Sequence, residues 1–135
     1  MGTRSTIAIE FADNTVSQVY CHWDGYLDHN GSILQESYMD PYKVRDLIDL
    51  GDFSSLRHTV EETKGGAYAH SRGEEHTVRK YKDLSEYFRE CQQEEYDYIL
   101  RNVEGKAVWF VRAYVTQGNW VPMSEAIEMT KEYAE

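Results

Sequence analysis

Ser5-Thr6-Ile7-Ala8-Ile9-Glu10-Phe11-Ala12-Asp13-Asn14-Thr15-Val16-Ser17-Gln18-Val19-Tyr20-Cys21-His22-Trp23 is the stretch that decides the fold class. Ile7, Ile9 and Phe11 alternate with Thr6, Ala8 and Glu10, the period of two that marks a half-buried strand. Beyond Ala12-Asp13-Asn14 the alternation resumes, Val19, Cys21 and Trp23 against Gln18, Tyr20 and His22. Two such runs joined by three turn-forming residues predict a β-hairpin over 5–11 and 15–23. A second hairpin is expected over 96–101 and 107–115, turning at Val103-Glu104-Gly105-Lys106. Its second strand is apolar on both faces (Trp109, Val111 and Val115; Val108, Phe110 and Tyr114), which predicts a central place in the sheet. Gln117-Gly118-Asn119 then leads to a short edge segment at 120–123, where Pro122 suits an edge or an end.

Between the hairpins the pattern is helical. Residues 32–38 suit a short helix. Asp40-Pro41 combines an N-capping side chain with a proline that fits the first helical turn. Val44, Leu47 and Ile48 form the stripe behind it, and Gly51 suits its stop. Asp83 with Glu86 is an acidic capping box, and Leu84, Tyr87, Phe88 and Cys91 follow at helical spacing. Ser124 heads a last helix that buries Ala126, Ile127, Thr130 and Tyr133. Residues 57–76, broken by Gly65-Gly66 and Gly73, predict a mobile loop. The whole predicts a single α+β domain over 1–135. Its expected sheet is antiparallel, two β-hairpins plus a short edge strand, with helices packed on one face.

The 135 residues carry 14 basic and 24 acidic side chains, a net charge of −10. That argues against a general nucleic-acid binder, which needs a basic face to displace counterions. It also argues against an anionic membrane surface. Plain solubility and an acidic surface that meets a basic partner both remain open. A mean hydropathy of −0.69 would suit a disordered chain, but eleven Tyr, three Trp and four Phe supply a core. Cys21 and Cys91 lie far apart with no CxxC, which predicts two buried free thiols in a reducing compartment. With no apolar run of membrane length and no signal-peptide core, a cytoplasmic location is expected.

The densest group of functional side chains is Tyr20-Cys21-His22-Trp23-Asp24-Gly25-Tyr26-Leu27-Asp28-His29-Asn30-Gly31, running from a strand into a tight loop. Three readings compete there. His22 and Asp24, with Asp28 or His29, could ligate a metal, although no metal-binding signature is present. Trp23 and Tyr26 could stack on a ring while His22, Asp24 and Asn30 fix its polar edge and Arg4 meets a phosphate or carboxylate. The third is structural: Asp24-Gly25 and Asn30-Gly31 are turn formers and Trp23 is core. The candidate ligand-binding set is therefore Arg4, His22, Trp23, Asp24, Tyr26 and Asn30. Tyr68-Ala69-His70-Ser71-Arg72-Gly73-Glu74-Glu75-His76 forms a second cluster, readable as an anion-binding lid or a solvated loop. GxSxG, GxGxxG and P-loop patterns are missing, and the adjacent Cys21 and His22 point to opposite faces of a strand. These patterns assign no catalytic residue, and no metal or cofactor is expected.

Thr3-Arg4-Ser5-Thr6-Ile7, with His22-Trp23-Asp24-Gly25-Tyr26 and Asn30-Gly31, resembles an uncharacterised family of short bacteriophage and mobile-element proteins. The resemblance covers about the first fifty residues, through Asp49-Leu50-Gly51-Asp52. It implies a counter-defence setting: a non-enzymatic inhibitor, an anti-CRISPR protein for example, acting in the host cytoplasm. The implied partner is a host protein with a basic surface, such as a nucleic-acid-binding defence complex, without direct contact to nucleic acid or membrane. The alternative implied is a pocket that sequesters or acts on a nucleotide-like ligand through residues 22–31. Phage inhibitors of this kind also work as homodimers, although no exposed apolar stripe marks an interface.

Overall fold

The computed structural model of the chain describes residues 3–65 and 78–134. Strands β1 (Ser5–Glu10) and β2 (Val16–Cys21) form the first hairpin. A π-helical turn (Leu27–Gly31) runs into α1 (Ser32–Ser37), and α2 (Pro41–Ile48) and α3 (Val60–Lys64) follow. Next come β3 (Arg79–Tyr81), α4 (Leu84–Glu90), the hairpin β4 (Tyr96–Val103) and β5 (Lys106–Ala113), edge strand β6 (Val121–Pro122) and α5 (Met123–Ala134). The domain is α+β, with six strands in the order β3-β2-β1-β4-β5-β6.

Local chemistry explains most element ends. Asp40 accepts a hydrogen bond from the Tyr42 amide at 2.9 Å and Asp83 one from the Glu86 amide at 2.9 Å, each filling an orphan donor of the first turn. In the β4–β5 turn Val103 pairs with Lys106, leaving Glu104 (φ 53°) and Gly105 (φ 83°) as the two left-handed central residues. That is the turn whose twist matches a hairpin, and it favours glycine. The expected loop at 57–76 is partly helical. Thr59 accepts from the Glu62 amide, capping the start of α3, and its hydroxyl donates to the Glu62 carboxylate. The cluster at 68–76 lies outside the described residues.

Four expectations about the sheet need correction. Strand β3 pairs with β2 and adds a sixth strand to the five expected. The sheet is mixed, because β1 and β4 run parallel, Ser5 opposite Tyr96 through Ile9 opposite Leu100. A hairpin pattern fixes only strands adjacent in sequence. The long helical connection after β2 returns the second hairpin alongside β1 in the same direction. The central strands are accordingly β1 and β4, and β5 lies one place further out, covered only by the two residues of β6. Finally, helices pack on both faces. Ile7, Ile9, Val19, Tyr98, Leu100, Trp109 and Val111 are buried in one core with Leu34, Tyr38, Val44, Leu47, Ile48, Met123 and Ala126. Ala8, Val16 and Ile99 pack against Tyr87 and Cys91 of the α4 region in a second, smaller one. A sheet covered on both sides has apolar residues on both sides, which is why β5 reads as central without being so.

One polar row crosses the second face. Thr6 on β1, Asp97 on β4 and Arg112 on β5 are register neighbours. Asp97 is fully buried, accepts from the Thr6 hydroxyl at 2.6 Å and from the Glu94 amide at 3.0 Å, and pairs with the Arg112 guanidinium. Burial pushes the Asp97 carboxyl above its ordinary 3.8, and those hydrogen bonds and the Arg112 charge pull it part of the way back. A raised native pKa means that the folded state holds the proton more tightly than the unfolded chain. This group's contribution is therefore present below pH 3.8 and declines as pH rises through the raised value. Asp97→Asn is expected to flatten that component, read as the difference between wild-type and variant urea midpoints from pH 3 to pH 7. Asp97→Ala, which strips Arg112 of its partner, is expected to cost about 3–5 kcal/mol.

Candidate functional site

The loop that follows β2 is held from three sides. The amides of His22 and Trp23 donate to the carbonyls of Phe53 (3.2 Å) and Ser54 (2.8 Å), so the chain continues past β2 as a short parallel partner of residues 53–54. Gly25 donates to the Thr3 carbonyl at 2.8 Å, and its own carbonyl accepts from the buried Tyr98 hydroxyl at 2.6 Å. A Cβ at position 25 would stand 2.7 Å from Ser5 Cβ and 2.9 Å from the Thr3 oxygen, so only glycine fits this approach to β1. Asp24 takes a left-handed φ of 56°, turning the chain inward just before that contact.

Asn30 closes the loop from below. It is fully buried, and its amide nitrogen donates to Ser5 Oγ at 3.2 Å and Cys21 Sγ at 3.4 Å. Its Oδ1 accepts from His29 Nδ1–H at 2.9 Å, and its backbone amide reaches the Asp24 carbonyl at 3.2 Å. Asn30 is thereby turned away from any surface site. Cys21 is buried, and burial pushes its thiol up to about 11, with the Asn30 hydrogen bond working the other way. It stays protonated at neutral pH, and it donates weakly to the carbonyls of Trp23 and Ser54. Cys21 and Cys91 are both buried free thiols.

The remaining candidates face outward. Trp23 is 43% exposed and Tyr26 38% exposed, so Trp23 is not a core residue. His22 is half-buried, hydrogen-bonded through Nδ1 to the Tyr20 hydroxyl at 2.7 Å and set edge-on against Trp23 at 4.6 Å. Arg4 is exposed, and its backbone carbonyl accepts from the Tyr96 amide. Register puts these residues at one end of the sheet, just beyond the row Cys21, Ser5, Tyr96 and Ala113. Exposed Asp28 and Glu95 lie there too. Burial first, then their negative charges, hold the Tyr96 phenol above its ordinary value. The exposed Tyr114 follows Ala113 at the same end.

The structure thus gathers His22, Trp23, Asp24, Tyr26 and Arg4 at one end and sends Asn30 into the core. The residues that position them, Ser5, Phe53, Ser54 and Tyr98, were not singled out from the sequence. Tyr98 is legible as a buried strand position, but its hydroxyl's target across the sheet is not. Among the described residues no group of three or more His, Cys, Asp or Glu side chains is placed to hold a metal ion, and no helix is long and apolar enough to cross a membrane. Two surface clefts, each lined by other residues, lie at the opposite end of β1.

Tyr98→Phe is expected to cost about 1–3 kcal/mol by leaving the buried Gly25 carbonyl unpaired, measured by urea unfolding. Gly25→Ala should cost at least as much through overpacking, whereas Arg4→Ala should stay within about 0.5 kcal/mol of wild type. No family model, curated protein or solved structure matches the chain.

Proposed function

We propose that the chain is a non-enzymatic binding protein that docks on a basic protein surface through the end of the sheet carrying Trp23 and Tyr26. The observation that carries this reading is the fixed presentation of two exposed aromatic rings. They stand on a loop tied to β1, β4 and residues 53–54 by Gly25, Tyr98 and Asn30. Rings held in place before binding lose little freedom on docking, and Trp and Tyr supply a disproportionate share of interface energy. Asp28 and Glu95 beside them, on a chain of net charge −10, suit a partner of opposite sign.

The resemblance of the first fifty residues to short phage and mobile-element proteins suggests the setting. It is an inhibitor of a host defence complex, of which an anti-CRISPR protein is one form, with the acidic end occupying a basic nucleic-acid-binding groove. A second reading, a nucleotide-like ligand stacked on Trp23, is favoured by the placement of His22 and Arg4 at the same end.

Affinity capture from the host with wild type and a Trp23→Ala/Tyr26→Ala double variant separates the two. Docking predicts a basic protein captured by wild type, with at least about 100-fold weaker binding by the double variant. The melting temperature should scarcely move, and binding should weaken between about 0.1 and 0.5 M salt. Capture indifferent to salt and to both substitutions overturns docking. A nucleotide that raises the wild-type melting temperature, but not that of Trp23→Ala, would instead establish the second reading.

A further inference from the structure

Asn30-Gly31 is the one Asn-Gly pair in the 135 residues; the other asparagines precede Thr15, Val103 and Trp120. Glycine sets no side chain in the path of its own backbone nitrogen, so this pair is the one in the chain most prone to deamidation. The Gly31 nitrogen attacks the Asn30 side-chain carbonyl carbon, the Cγ–Nδ2 bond breaks, and ammonia leaves with the proton from Gly31. Water then opens the resulting succinimide at either carbonyl, giving aspartate or isoaspartate. In an unfolded chain nothing opposes the first step.

The fold holds both reacting groups elsewhere. Asn30 is fully buried and Gly31 is buried beside it. The Gly31 amide is committed to the π-helical turn, donating to the Tyr26 carbonyl at 3.4 Å. The carboxamide is gripped at both of its polar atoms: Nδ2 donates to Ser5 Oγ at 3.2 Å and Cys21 Sγ at 3.4 Å, and Oδ1 accepts from His29 Nδ1–H at 2.9 Å. Of these contacts only that of His29 would assist the attack, by polarising the carbonyl, and the nucleophile it would assist is tied to Tyr26. Ser5 lies on β1 and Cys21 on β2, so swinging the carboxamide towards Gly31 means releasing the loop from the sheet.

We propose that Asn30 is a modification site gated by its own loop: latched to Ser5 and Cys21 it is protected, and each opening of residues 24–31 exposes it to irreversible conversion to an acid. The product cannot close the latch again. A carboxylate at position 30 has no N–H to give Ser5 Oγ or Cys21 Sγ, and burial penalises its charge. Isoaspartate adds a carbon to the backbone inside the turn, against the 3.2 Å bond from the Asn30 amide to the Asp24 carbonyl. Trp23 and Tyr26, on either side of Asp24 and Gly25, then lose their fixed setting. The consequence for binding rests on the docking reading above; the chemistry does not.

The test ages the full chain in mildly alkaline buffer, with and without urea, and follows Asn30 by peptide mass mapping and an isoaspartate assay. Asn30 of the folded chain is expected to react at least about 100-fold more slowly than in urea, because only locally opened molecules contribute. Tyr98→Phe, which frees the Gly25 carbonyl, should speed the folded-state reaction at least about fivefold and leave the rate in urea unchanged. The deamidated fraction, separated from the folded sample by its added charge, should show altered amide shifts over residues 22–31 and unaltered ones for Leu100 and Trp109. Equal rates with and without urea overturn the proposal, as does a Tyr98→Phe rate equal to that of wild type. A deamidated fraction with native loop shifts, or one unfolded throughout, overturns the latch. None of these measurements involves a partner, so failure here and failure of docking are told apart.

Discussion

Asp97 stands at the crossing point of the two halves of the molecule. The first hairpin and the second meet only where β1 runs parallel to β4, and there the Thr6 hydroxyl of β1 donates to the Asp97 carboxylate of β4. Arg112 reaches the same carboxylate from β5, so one buried group links three neighbouring strands. A carboxylate in this position is costly to desolvate and costly to abandon, because its partners cannot all find water once it is gone. Around it the second face is organised by polar contacts as much as by apolar ones. Gln18, also fully buried, donates to the Gln92 carbonyl and accepts from the Tyr81 hydroxyl, tying the segment after α4 and strand β3 to β2.

The same end of the parallel joint, one residue from Thr6, shapes the candidate site. Ser5 opens β1, and both Gly25 and Asn30 press against it, one through a close backbone approach and the other through a side-chain hydrogen bond. Most of the polar chemistry of residues 20–31 is thus spent on fixing the loop, and what reaches solvent is aromatic and acidic. The outer edge of β2 is divided in a similar way. β3 covers Val16 to Gln18, and beyond it the Tyr20 amide donates to Asp52 while Phe53 continues the pairing. Asp52 also grips the Arg79 guanidinium of β3 through both its oxygens, so one carboxylate splices the two segments.

Legibility in the sequence followed the range of each interaction. Period-two alternation located β1 and β2, the turn at 103–106 between β-rich runs located β4 and β5, and the caps at Asp40 and Asp83 located their helices, because these signals act within a few residues. Strand β3 is three residues long and depends on Asp52, twenty-seven positions away, for its anchoring; no local pattern announces it. The parallel joint was missed for the same reason. In the candidate site, the density of His, Asp and aromatic residues singles out 22–31. It did not reveal which of them face inward. Asn30 sits in a turn-forming Asn-Gly pair, yet its side chain serves as an interior bracket between Ser5 and Cys21, a role set by residues remote in the chain.

The parallel joint also sets the order in which the chain can assemble. Thr6 and Asp97 are 91 residues apart. The first hairpin can close locally, but its β1 flank has no mate until β4 exists. At about 5–20 residues per second of synthesis, that flank stands open for several seconds. The loop closure that ends the wait is entropically expensive and comes late, which places the domain among the slower folders for its size. Until then the β1 edge presents unpaired backbone N–H and C=O groups, a template for pairing with another chain. The interval during synthesis, rather than the finished fold, is where this protein is most exposed to self-association.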